Sequence, residues 1–191
     1  MKKILFITFL IAATFLGVSA QTTSSHLLFK GIPIDGKISS FVSKLQQKGF
    51  TVMDRTNPDK IMLYGKFSGE DVTLRVDATL SSHTVFSVFV FFPQREKWAD
   101  LEGFYNILVS SYINKYGDPF DSKHEFQSPY DSPSTSLQMI AVEEGKCDYW
   151  SSFHATHGII CVDITNFKCV RVEYQDGQNS QLQEKEQQDD I

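Results

Sequence analysis

Two stretches of the chain place apolar residues at helical period. In GKISSFVSKLQQKGF, Ile38, Phe41, Val42 and Leu45 recur at i, i+3, i+4 and i+7, one stripe of a helix. Lys44 and Lys48 suit its C-terminal half, and Gly49 stands where a left-handed cap is wanted. In WADLEGFYNILVSSYINKYGDP, the second stripe is Trp98, Leu101, Phe104, Tyr105, Leu108 and Tyr112, with Asp100 and Glu102 favouring the N-terminal end. Lys115 and Gly117 close it and Pro119 forbids continuation. A phosphate-binding loop needs glycines ahead of a helix, where free N–H groups point at the anion. Here the glycine follows the helix, so KYGDP reads as a helix stop.

The intervening pattern has period two. After the first helix it predicts strands at 51–54, 60–67, 71–78 and 84–92; Val72, Leu74, Val76 and Ala78 alternate with Thr73, Arg75 and Asp77. After the second it predicts strands at 136–142 (SLQMIAV), 147–153, 158–164 and 169–174. Asn57-Pro58-Asp59, Ser68-Gly69-Glu70-Asp71 and Glu143-Glu144-Gly145-Lys146 supply turns. The expected fold class is α+β: two tandem units, each a helix followed by four antiparallel strands, with the helices on one face of the sheet. The units span 21–95 and 96–177. Gly49 and Gly117 are 68 positions apart but Val72 and Ile160 are 88 apart, and the difference falls mostly in a proline-rich loop at 118–135. Loops of that length in compact domains carry function or move. Residues 178–191 hold only Leu182 and Ile191 as apolar residues and predict a solvated helix or a frayed tail.

The first residues set the compartment. Lys2 and Lys3 precede an apolar run from Ile4 to Val18, and Val18-Ser19-Ala20 offers a small-residue cleavage site. This is the pattern of a signal peptide over 1–20, cut before Gln21, and without a lipobox cysteine at the cut. It places the mature protein in the periplasm or outside the cell, with no membrane span after cleavage. Losing the two lysines moves the formal charge from −5 to −7. An acidic chain without a Lys/Arg stripe is a poor partner for nucleic acid.

The layout, together with FKGIPIDGKISSFVSKLQQKGF and WADLEGFYNILVSSYINKYGDP, resembles small secreted proteins of Bacteroides-type bacteria. Their fold is similar to the tandem helix-plus-four-strand repeat of the beta-lactamase-inhibitor-protein-like class. The resemblance covers roughly residues 27–177. It implies that fold and a tendency toward binding roles, and it brings no catalytic motif.

Candidate chemistry is sparse. His154 and His157 lie between two strands and before Gly158, as a hairpin turn does, and a zinc site wants three or four ligands. There is no G-x-S-x-G elbow, and the reading assigns neither a catalytic residue nor a cofactor. Cys147, Cys161 and Cys169 lack metal-ligand spacing. A three-residue loop at Ile164-Thr165-Asn166 would set Cys161 opposite Cys169 and allow a disulfide; a two-residue loop would forbid it, leaving a bond through Cys147 or three free thiols. The aromatic surplus says more. In TVFSVFVFF, inward Phe86, Val88, Val90 and Phe92 leave Val85, Ser87, Phe89 and Phe91 outward, beside Met62, Tyr64 and Lys66 of a neighbouring strand. Either this face binds a partner, or the second unit, the tail or the long loop covers it. Phe126 and Tyr130 make the long loop a binding loop or a packed lid. The expected function is a non-enzymatic binding module acting on another extracytoplasmic protein or envelope component through Tyr64, Phe89, Phe91, Phe126 and Tyr130. The alternative is a hydrolase or small-ligand carrier with a pocket between the units.

Overall fold

The computed structural model describes residues 24–131 and 134–189. The expected signal peptide and its cleavage site lie outside them. A short hairpin, β1 (Leu28–Phe29) and β2 (Ile32–Pro33), leads into helix α1 (Ile38–Gln47). Four strands follow: β3 (Thr51–Asn57), β4 (Lys60–Phe67), β5 (Glu70–Ala78) and β6 (Val85–Phe91). Then come α2 (Trp98–Tyr116), β7 (Asp121–Phe126), α3 (Thr135–Glu143), β8 (Cys147–Ala155), β9 (Gly158–Ile164), β10 (Val170–Asp176) and α4 (Gly177–Asp189). The class is α+β. β3 to β10 form one antiparallel sheet of eight strands in the order β3-β4-β5-β6-β10-β9-β8-β7.

Both helix stripes do what their period requires. Ile38, Phe41, Val42 and Leu45 of α1 are buried, as are Trp98, Leu101, Tyr105, Leu108 and Tyr112 of α2. They share one core with Leu63, Leu74, Val76, Val88, Val90, Ile160, Val162 and Val172, the alternate positions of the central strands. The helix stops also hold: Gly49 and Gly117 take φ of 92° and 86°, and the Gly117 N–H donates to the Ile113 carbonyl at 2.9 Å.

Three expectations are corrected. SLQMIAV is helical, not a strand: it lies in α3, and Ala141 and Val142 are its buried residues. Short apolar runs do not separate strand from helix by period, and Leu, Gln, Met and Ala are helix formers. The strand expected there is supplied by DSKHEF, β7, inside the segment read as a loop. Within 84–92, β5 and β6 pair Asp77 with Ser87 but Ala78 with Val85. That bulge at Phe86 reverses the phase and puts Val85 in the core.

The tail takes the first of its two expected forms, a largely solvated helix. α4 is tied down by polar anchors rather than apolar burial. The Asp176 carboxylate accepts from the backbone N–H of Gln178 and Asn179 at its N-terminus, and from Leu27 N–H at 2.7 Å. The Asn179 amide donates to the carbonyls of Ile34 and Val85, and Glu186 accepts from Ser81 and Ser82 N–H. No helix among the described residues is long and apolar enough to cross a membrane.

Candidate interaction surface

With α1 and α2 on one side, the alternate residues of the strands line the other. The pairing register aligns them into two rows across the sheet. One row runs Met62, Arg75, Phe89, Glu173, Cys161, Ser152 and Asp121, from β4 to β7. The next runs Tyr64, Thr73, Phe91, Arg171, Asp163, Trp150 and Lys123. Directly opposed side chains in an antiparallel sheet touch, so each row is a chain of neighbours.

At the centre, where β6 meets β10, two arginines lie over phenylalanine. The Arg75 guanidinium sits 3.9 Å from the Phe89 ring centroid and that of Arg171 5.4 Å from it. Phe89 and Phe91 stack with centroids 6.4 Å apart. Each arginine is held in turn. Arg75 donates to Asp77 at 2.8 Å, and Arg171 grips Asp163 in bidentate fashion at 2.9 and 2.7 Å. Ser87 donates to Glu173 at 3.2 Å. A shallow cavity of about 340 Å³ opens beside this cluster, between Arg75, Phe91, Asp163, Arg171 and the β9–β10 turn at Asn166 and Phe167.

Burial shapes the charges. It raises the carboxyls of Asp163, Glu173 and Asp77 above their ordinary values, with the arginines pulling the other way. It pushes the Cys161 thiol up to about 11. For Arg171, burial works against the charge, but the bond and the field from Asp163 outweigh it and the pKa is raised.

Three of the five expected binding residues meet on this face. Tyr64 is 46 % exposed and Phe91 half-buried, whereas Phe89 is only 7 % exposed because the arginines roof it. Phe126 does not join them. It turns to the helix side, 4.9 Å from Trp98 and 5.7 Å from Tyr149 by ring centroids, and closes the end of the core. Tyr130 lies beyond β7, where its N–H donates to Gln127 and its hydroxyl meets Glu144. Sequence reasoning missed Arg75, Arg171, Asp163 and Trp150. The available signal was the polar phase of the same alternation that located the strands.

Other candidates resolve into structure. The cysteines are free. Ile164 pairs with Val170 across a five-residue turn, Thr165 to Cys169, so Cys161 faces Glu173 and no Cys161–Cys169 bond forms. The three-residue loop that would have allowed the bond does not form, because Thr165 keeps its backbone bond to Cys169, 2.9 Å, and Lys168 takes the left-handed position at φ 57°. His157 sits in the β8–β9 turn at φ 72°, and His154 stacks on Phe120. Among the described residues, no group of three His, Cys, Asp or Glu side chains could hold a metal ion. Ser151, His124 and Tyr105 converge: the Tyr105 hydroxyl lies 2.7 Å from Ser151 Oγ and 2.8 Å from His124 Nε2. Ser151 is wholly buried and Tyr105 nearly so, leaving no room for an acyl group to meet the serine. The trio ties α2 to β7 and β8.

The chain matches no protein-family model, no curated protein and no solved structure.

Proposed function

We propose that the protein is an extracytoplasmic, non-enzymatic binding module whose sheet face turned away from α1 and α2 docks another protein of the cell envelope. The observation that carries this reading is the central cluster: Tyr64, Phe91, Trp150, Arg75 and Arg171 share one face, aligned by register and held by ion pairs. Tyr, Trp and Arg are the side chains that dominate binding energy at protein interfaces. Pinning the arginines in advance lowers the entropy lost on association. The extracytoplasmic location rests on the leader-like pattern of residues 1–20.

The finer architecture belongs to the same reading. We infer that 21–95 and 96–177 are tandem copies of one unit, in the manner of the beta-lactamase-inhibitor-protein-like class. Supporting this, a helix precedes the four large-sheet strands of each half, and the strand order runs outward alike from β6 to β3 and from β10 to β7. The two halves then join through β6 and β10, where the arginine–phenylalanine cluster lies.

The test is a paired capture from envelope extract, with wild-type protein and a Tyr64→Ser/Phe91→Ser variant as bait. A partner held by the wild type and lost by the folded variant supports the reading. A partner held equally by both overturns it.

A further inference from the structure

On the opposite side of the molecule, one shoulder of α2 is not covered. Phe104, Ile107, Leu108, Ser111, Tyr112 and Lys115 follow one another at i, i+3, i+4, i+7, i+8 and i+11, a continuous helical stripe. They line a cavity of about 330 Å³ with Phe67 and Ser68 of the β4–β5 turn as the far wall and Tyr174 below. A second cavity of about 690 Å³ adjoins it at Lys115, which lines both, and continues between Tyr116, the β1–β2 hairpin and the β8–β9 turn. Both volumes lie within the range of small-molecule sites. Ile107 is 64 % exposed, costly for an isoleucine beside such a hollow unless something covers it.

Charge identifies the occupant. The chain carries 23 Asp and Glu residues, yet no carboxylate lines either cavity. The charged or chargeable nitrogen groups there are Lys115, His26 and His157. His26 is already engaged by the buried Asp176. Lys115 meets no carboxylate among the described residues, and its ammonium lies 4.9 Å over the Tyr116 ring. From Phe104 to Lys115 the stripe is about 16 Å long at the helical rise, the length of an extended acyl chain of about twelve carbons.

We propose that this groove binds a single-chain carboxylate amphiphile, its chain along the apolar stripe and its carboxylate at Lys115. The apolar wall removes the chain from water. Lys115 supplies a charge-assisted bond at the one end where the two cavities meet. This site is independent of the sheet-face reading, and either can fail without the other.

The test is a titration with laurate below its micelle-forming concentration, followed by chemical shifts, with dodecanol and dodecyltrimethylammonium as parallel arms. Saturable laurate binding with shifts at Ile107, Ser111 and Lys115 is expected, the cationic amphiphile binding at least about tenfold more weakly. Lys115→Gln should weaken laurate about tenfold and leave dodecanol unchanged, and Ile107→Ser should weaken both. Both side chains are exposed, so unchanged melting will show that the variants fold. Absence of saturable binding, equal affinity for all three head groups, wild-type affinity in Lys115→Gln, or shifts centred on Phe91 would each overturn the proposal.

Discussion

Arg75 lies across the face of Phe89, its guanidinium carbon 3.9 Å from the ring centroid, while its Nε is held by Asp77. One contact thus turns an apolar strand face into a surface whose outermost atoms are charged. It also divides two phenylalanines that look alike in the sequence. Phe89 supports the arginines from beneath, whereas Phe91 and Tyr64 remain open to a partner.

The two roles separate by mutation. Phe89→Ala should cost about 3 kcal/mol of stability, as a buried phenylalanine does. Tyr64→Ser should fall within about 0.5 kcal/mol of wild type. Urea denaturation of both variants measures the difference. Equal, small losses would mean that the arginines do not bury Phe89 in solution.

Glu173 gives the face a pH signature. Burial raises its carboxyl above the ordinary 4.5, with Arg171 and Ser87 offsetting part of the shift. A carboxyl raised on folding holds its proton longer in the folded state, so its contribution to stability falls as pH rises from about 4.5 through the folded value. Glu173→Gln removes that loss. Its melting temperature should exceed wild type at pH 8 by about one to a few degrees, and the gain should vanish below about pH 4. A variant destabilised at pH 8 would show that the Glu173 charge is favourable where it stands.

Asp176 governs the last helix. It is fully buried and accepts from Leu27, Gln178 and Asn179 N–H, with His26 Nδ1 at 3.1 Å. Asp176→Ala strands those donors and should cost about 3 kcal/mol. Amide exchange should accelerate in both 24–29 and 177–189, because one carboxylate holds both segments. Faster exchange in only one of them would contradict the shared anchor.

What the sequence made legible follows from how strongly each pattern was forced. Ile38 to Leu45 and Trp98 to Tyr112 must bury one side of a helix, and Val72 to Ala78 one side of a strand, so those elements were readable. β7 was not, because an edge strand need bury little: Asp121, Lys123 and Glu125 face away from the core. SLQMIAV was misread because a short run with Ala141 and Val142 buried fits either period. For the tail, a solvated helix and a frayed end were both open, because the anchor of the helix that forms, Asp176, is a polar residue acting through backbone N–H groups that hydropathy does not register. Tyr64, Phe89 and Phe91 were found as aromatics, but the arginines that define their surroundings come from β5 and β10. Only the register brings Arg75 and Arg171 to the same ring.

The cysteines provide a direct check on that register. With Cys161 opposite Glu173, all three thiols stay free. Burial raises each of them, Cys147 to about 12 and Cys161 to about 11, so they should alkylate slowly in the folded protein at pH 8. Unfolded without reductant, the protein should take up three alkyl groups by mass. Uptake of one would require a disulfide, and a bond between Cys161 and Cys169 would require a different β9–β10 pairing.

The central claim is that the sheet face turned away from α1 and α2, and not the side that carries those helices, meets the partner. Site-specific photo-crosslinking in the producing cell tests it most directly, with the photoreactive residue placed at Phe91, at Tyr64 or, on the opposite side, at Ile113. The account predicts one discrete cross-linked protein from Phe91 and Tyr64, lost when Arg171→Glu is added, and none from Ile113. The same product from Ile113, with none from Phe91 or Tyr64, would contradict it.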